Sequence, residues 1–285
     1  MRSVAPVLTV LAVIVLVWYV ATVWMNSTWV YDQAARAGEE VRLAQLLPLT
    51  MAQKSPVLPA PHQVVAGLWQ GVTGYAVSSP KSLVFHAWVT LSGTVLGFLI
   101  GTGLGVLLAV GIVHNRAMDM SVLPWAIASQ MVPIIALAPM LAVVMNVLGA
   151  TALATKAIIS AYLSFFPVVV GMVKGLRSPE VSQLDLLTTY AASGSNVFWK
   201  LRLPASMPYF FASLKVGIAA SLVGAIVAEL NQQAGLGARL LQGSYYSQTV
   251  QIWAALLLAA TMAAVLVMIM GRIEGRVLER MGMRR

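Results

Sequence analysis

Nine carboxylates, three histidines and no cysteine are the groups from which this 285-residue chain could build acid–base, metal or thiol chemistry. His62, His86 and His114 stand apart, with no helical spacing that would pair two of them on zinc. The lack of cysteine excludes disulfides, thiol catalysis and thiolate metal sites. No Gly-x-x-x-x-Gly-Lys-[Ser/Thr] run occurs, so the chain has no phosphate loop of its own, and no nucleophile elbow or paired acidic motif is visible. The expectation is therefore no catalytic residue and no metal. Glu229 is the exception worth weighing. It ends an apolar run and is followed by Asn231, Gln232 and Gln233. A carboxylate beside hydrocarbon needs a partner or water, which makes it a candidate gate or protein-contact residue; the plain alternatives are an interfacial acid in water and an acid with a partner across the bundle. Gln130, Tyr162, Ser164 and Ser221 lie deeper in apolar runs, where they either face a solute or hydrogen-bond between helices. Lys215 has a stem long enough to carry its charge to the membrane surface.

The elements that must hold these groups follow from composition. The chain is 59% hydrophobic and only 9% charged, with a mean hydropathy of +0.84. Soluble domains carry about 25% charged residues. Charge is costly in hydrocarbon, so the deficit points to an all-α integral membrane protein. Six apolar runs are long enough to cross, near 4–25, 86–113, 122–148, 153–174, 209–231 and 251–271, since about 20 residues span the bilayer core. The first is longer than a signal-peptide core and is read as a retained helix, with a cleaved signal as the alternative.

The net charge of +9 reads as the basic bias of inner loops, with no nucleic-acid partner implied. With the N-terminus inside, Arg2, Arg116, Lys174, Arg177, Lys200, Arg202, Arg272, Arg276, Arg280, Arg284 and Arg285 are inner. Arg36, Arg42, Lys54, Lys81 and Arg239 are outer, and Lys156 and Lys215 fall near helix ends. Both termini are thereby expected in the cytoplasm. The organisation expected is a membrane helix over 1–25, an outer connection over 26–85, a core over 86–276 and a basic tail over 277–285. Pro48, Pro56, Pro59 and Pro61 break the outer connection, and Val65, Leu68, Trp69 and Val72 then recur at helical spacing, as in an amphipathic helix.

In the second run Gly93, Gly97, Gly101 and Gly105 strip one helix face for close packing, and Gly171 with Gly175 repeats the device. Pro124, Pro133 and Pro139 interrupt the third run, and a proline-broken helix is a frequent lining of a solute path. The longest inner connection, 174–208, is polar at first and then carries an apolar stripe interrupted at Ser193-Gly194-Ser195, which predicts two short helices and a turn. Such a helix can seat apolar knobs in a groove of a partner.

That inner segment, DLLTTYAASGSNVFWKLRLP, resembles the EAA loop of ABC-importer permeases. In the resemblance Asp185 stands at the Glu, Leu186 and Leu187 at the two Ala, Leu201 at the Ile, and Leu203-Pro204 at the Leu-Pro end. Tyr190 is a further apolar knob. Ala191 stands where the family has Gly. SVLPWAIASQMVPIIALAPMLAVVMNVLG is similar to the family's third span, VAELNQQAGLGARLL to its glutamate and GLG stretch, and LPAPHQVVAGLW to the segment before the core in nitrate, sulfonate and taurine-type permeases. The YAAS variant and the 237–257 segment look most like riboflavin or pyrimidine-precursor permeases.

The resemblance implies a permease core of the type I importer kind in the bacterial inner membrane. It implies a homodimer of such subunits, two cytoplasmic ATPase subunits that hold ATP and magnesium, and a periplasmic binding protein. The coupling element would be Asp185, Leu186, Leu187, Tyr190, Ala191, Leu201, Leu203 and Pro204. The path or gate would use Gln130, Pro133, Tyr162, Ser164, Ser221 and Glu229. The competing readings are a secondary transporter, which would show repeats and mid-span acids, and an intramembrane enzyme.

Overall fold

A computed structural model describes residues 4–38 and 42–283, and their regular structure is entirely helical. The helices are α1 (Val4–Ala37), α2 (Leu43–Met51), α3 (Pro61–Thr73), α4 (Leu83–His114), α5 (Arg116–Ser129), α6 (Ile134–Val147), α7 (Ala152–Leu176), α8 (Val181–Thr189), α9 (Gly194–Val197), α10 (Leu203–Glu229), α11 (Leu236–Tyr245) and α12 (Thr249–Arg280), with a π-helical turn over Phe198–Arg202. Among the described residues, α1, α4, α7, α10 and α12 are long and apolar enough to cross a membrane. Arg2, Arg284 and Arg285, used above to orient the chain, lie outside the described residues.

Two compact units form. One comprises residues up to His86 with Arg239–Ala259, the other Ala87–Ala238 with the residues from Ala260 onward. In the first, α1 does not stop near residue 25 as expected but runs on to Ala37. Asn26 lies within it. Its buried side chain donates to the Leu58 carbonyl (2.9 Å) and accepts from the amides of Val57 (2.9 Å) and Leu58 (3.2 Å), so a polar residue in the helix binds the proline-rich connection. Gln63 caps α3 from within, accepting from the Ala60 amide (2.9 Å) and donating to the Met51 carbonyl (2.8 Å).

The apolar stripe of α3, expected to lie on the membrane surface or on the bundle, is only partly inward. Val65 and Trp69 are exposed, and the buried positions are Val64 and Gly71. Glycine decides the packing face. A Cβ at Gly67 would lie 2.8 Å from Val250 Cγ1, and one at Gly71 would lie 2.5 Å from Leu83 Cδ1.

In the second unit α7 is held between α4 and α10. A Cβ at Gly97 would sit 2.3 Å from Ser160 Cβ, one at Gly101 2.2 Å from Ser164 Oγ, and one at Gly105 2.8 Å from Val168 Cβ. Gly93 is looser, 3.0 Å from Lys156 Cβ. On the other side Gly171 and Gly175 meet Ser213 and Ser206 of α10 in the same way. Backbones approach where side chains are missing, which is how apolar helices associate when lipid is as greasy as they are. The interior is completed by Ile112, Val168, Val169, Met172, Leu176 and Ile218.

The expected third span over 122–148 is interrupted, as its prolines predict, and forms a broken span or a re-entrant loop. It is two helices, α5 and α6, bent by 99°. Pro133 stands at the N-cap of α6 with extended backbone and has no amide to continue the ladder. At the far end α12 continues to Arg280, so the expected tail from 277 begins inside a helix. Lys215 of α10 is ion-paired with Glu274 of α12 and is not a free snorkelling cation.

Candidate functional site

The second unit contains a buried charge cluster, built by α4, α7, α10 and the first residues of α11. Lys156 sits in the second turn of α7, whose N-terminus is capped by Thr151 accepting from the Ala154 amide. Glu229 is the last residue of α10. Lys156 Nζ donates to Glu229 Oε1 at 3.2 Å, with side chains 4% and 0% exposed. The ammonium also donates to the Val89 carbonyl of α4 (3.0 Å). Glu229 Oε2 accepts from Thr90 Oγ1 (2.8 Å) and from the Gly237 amide (3.1 Å). Thr90 Oγ1 in turn accepts from the Leu236 amide (2.9 Å). Two buried charges are tolerable only when their remaining lone pairs and protons are also satisfied, and here several are.

This geometry explains Gly235-Leu236-Gly237. Gly235 has φ +116°, and a Cβ there would lie 2.0 Å from the Glu229 carboxyl carbon. A Cβ at Gly237 would lie 2.0 Å from the Ile226 carbonyl oxygen. The loop that follows α10 is thus folded back onto the carboxylate that ends it. Of the two plain alternatives for Glu229, the structure shows the partner across the bundle and not the solvated interfacial acid. Its partner Lys156 went unsingled in the sequence, as did Thr90. A lysine inside an otherwise apolar run was the available signal for the first.

The remaining path candidates divide. Ser221 donates to the Thr94 carbonyl (2.8 Å), and Ser164 bonds within its own helix to Ala161 O (3.3 Å) and lies 3.5 Å from Gly97 O. Both are fully buried at helix contacts. Gln130 and Tyr162 meet at the α5–α6 bend instead: Tyr162 donates to the Ser129 carbonyl, and Gln130 Nε2 lies 3.4 Å from Ser129 Oγ. Pro133 is exposed beside them. A cavity of about 430 Å³ opens along α6, lined by Pro139, Asn146, Thr155, Asn231 and Gln232 among others. Asn231, Gln232 and Thr155 are chain neighbours of the Glu229–Lys156 pair, so a concave polar surface adjoins the buried charges.

The inner segment forms α8, a turn and α9. No residue of α8 is buried. Leu186 and Tyr190 are 57% and 76% exposed, Asp185 is exposed beside them, and Leu187 is half-buried. The helix ends in a Schellman turn: the Ala192 amide donates to Leu187 O (3.0 Å) and the Ala191 amide to Thr188 O (2.9 Å). Ala191 carries φ +51° at the position that motif usually gives to glycine. Ser193 then caps α9, accepting from the Asn196 amide at 3.4 Å. The π turn delivers the chain straight into α10, so Leu203-Pro204 opens a membrane helix and does not close the loop. Leu201, Leu203 and Pro204 are half-buried there, on a different element from Asp185, Leu186 and Tyr190. The base of the loop is tied to α5 by Arg177 and Asp119, 2.9 Å apart.

Among the described residues no group of histidines and carboxylates is arranged to hold a metal ion. The family profile described as "Binding-protein-dependent transport system inner membrane component" matches residues 101–282. Among curated proteins the chain is 30% identical to a probable ABC transporter permease protein of Haemophilus influenzae, over 62% of this chain and 71% of that one. It is 30% identical to the formylaminopyrimidine transport permease protein ThiX of Halalkalibacterium halodurans, over 64% and 68%. It is 28% identical to the riboflavin transport system permease protein RibX of Chloroflexus aurantiacus, over 76% and 78%.

Proposed function

The chain belongs to the family of binding-protein-dependent transport system inner membrane components and is the permease subunit of an ABC importer, and from that premise we propose that two copies of it form a path for a small organic solute, driven through α8 by cytoplasmic ATPase subunits. The observation that carries the coupling role is α8 itself, a helix with no buried residue that holds Leu186 and Tyr190 out from the bundle. Apolar knobs beside an acidic rim residue, Asp185, suit insertion into a groove on a partner. Leu187 serves the helix end, and Leu201, Leu203 and Pro204 join the coupling element to α10. ATP and magnesium are held by the ATPase, since this chain lacks a phosphate loop. In this reading both termini and α8 are cytoplasmic, supported by the excess of Lys and Arg on that side.

The solute proposed is riboflavin or a pyrimidine-type vitamin precursor, with sulfonate, taurine or nitrate next. Similarity to permeases named for riboflavin and for formylaminopyrimidine supports that order. The path runs by the α5–α6 bend with Gln130, Pro133 and Tyr162, and Glu229 with Lys156 sets the adjoining loop. Ser164 and Ser221 are assigned to helix packing.

The test is assembly with the ATPase and uptake in proteoliposomes. An apolar knob fully buried in a groove contributes about 1.5–3 kcal/mol, whereas an exposed rim charge contributes under about 1 kcal/mol. Tyr190→Asp and Leu186→Asp are therefore expected to abolish ATPase retention, and Asp185→Lys to weaken it. Normal retention in Tyr190→Asp would remove α8 as the coupling helix. Uptake of none of the proposed solutes, with coupling intact, would reject the substrate reading alone.

A further inference from the structure

A second concave site lies in the first unit. It is a cavity of about 460 Å³ whose lining includes Lys54, Lys81 and Arg239 but no carboxylate. Among the described residues none of these three cations is ion-paired. Lys54 comes from the turn after α2, Lys81 from the turn before α4, and Arg239 from α11. Three separate segments thus bring positive charge to the lining of one space, which favours a negative occupant.

Arg239 makes the stronger case. It is half-buried, and its guanidinium Nη2 donates to the neutral Oε1 of Gln251 at 3.1 Å. A guanidinium partly removed from water is ordinarily matched by a carboxylate or phosphate that can take its forked donors. Burial lowers its pKa from the usual arginine value, partly offset by Tyr75, as for a cation short of counter-charge. Two more donors are at hand: the exposed side-chain amides of Gln70 and Gln248 also line the cavity. Part of the lining is apolar, packed closely where Gly67 and Gly71 let Val250 and Leu83 approach. The result is a concave site with a partly apolar lining and cationic and amide donors, which differs from lysines scattered on an open surface.

We propose that this cavity binds a small oxyanion, with Arg239, Lys54 and Lys81 supplying the charge and Gln70 and Gln248 the flanking hydrogen bonds. The oxyanion is a phosphate, sulfonate or carboxylate group, carried either by a free solute or by a lipid head. Neither the coupling helix nor the buried Lys156–Glu229 pair takes part.

The test uses the full chain assembled with its ATPase in nanodiscs of zwitterionic lipid, titrated calorimetrically with inorganic phosphate and separately with sulfate. The wild type is expected to show saturable binding that weakens as KCl is raised, because exposed charges are screened. Lys54→Gln with Lys81→Gln is expected to weaken it about tenfold or more. Both lysines are exposed, so thermal unfolding is expected to be unchanged and serves as the control; Arg239→Gln is the second variant. Nanodiscs containing phosphatidylglycerol identify the source. Retention of that lipid in native mass spectra, lost in the double variant, assigns the site to a lipid head, and phosphate binding without such retention assigns it to a free anion. An isotherm unchanged in the double lysine variant, or neither anion binding nor lipid retention in the wild type, overturns the proposal. The readout is binding, so its failure leaves the coupling reading intact.

Discussion

Lys156 and Glu229, 73 positions apart in the chain, meet at 3.2 Å with almost no solvent access to either. Removing one partner of such a pair leaves an uncompensated buried charge and costs about 3–5 kcal/mol. Glu229→Gln is therefore expected to lower the thermal unfolding temperature of the assembled complex markedly, although the amide preserves shape and some hydrogen bonding. Lys156→Met combined with Glu229→Gln removes both charges and is expected to recover part of the loss. Strictly additive effects in that double-mutant cycle would mean the two residues are not energetically coupled.

The loop after α10 gives a second expectation. Gly235→Ala places a methyl group onto the Glu229 carboxyl and asks for a positive φ as well. Overpacking alone costs about 1–3 kcal/mol. The variant is expected to reduce folded yield, while Gly271→Ala, which meets nothing within 4 Å inside α12, is expected to be silent. Wild-type yield and stability from Gly235→Ala would contradict the loop geometry.

At the end of α8 the sign reverses. Ala191 holds φ +51°, a conformation that costs an L-residue about 1–2 kcal/mol. Glycine does not incur that cost but adds freedom to the unfolded chain, worth about 0.4–1 kcal/mol. Ala191→Gly is expected to stabilise the protein by up to about 1.6 kcal/mol, and Ala191→Val to destabilise it. Denaturant midpoints measured on the reconstituted protein decide; a lower midpoint for the glycine variant would be the contrary result.

Much of the fold was legible because hydropathy and glycine spacing are local. The run at 153–174 emerges as Ala152–Leu176, and the two short helices either side of Ser193 emerge as α8 and α9. The glycines spaced every four residues face α7. Three features were not legible. Asn26 reads as the end of a membrane run, yet it lies inside α1 with its side chain satisfied by a segment about thirty residues away, a partner no local reading shows. The prolines of 122–148 announced a kink, but a sharp bend of 99° depends on what packs against each half. Glu229 was visible as an isolated acid, whereas its partner was hidden by 73 intervening residues, and nothing in a linear reading links a lysine near one helix start to an acid at another helix end.

The same separation sets an order of events during synthesis. The ribosome makes Lys156 before Glu229, so when α7 reaches the bilayer its counter-charge does not yet exist. A lone lysine in a membrane helix costs up to about 2.5–3.5 kcal/mol, the value at the helix centre. Nascent α7 is therefore a reluctant guest in lipid until α10 arrives to claim it. Before α10 is made the ammonium has the Val89 carbonyl of α4 within reach but no counter-charge, and the ion pair closes only once Glu229 is in place.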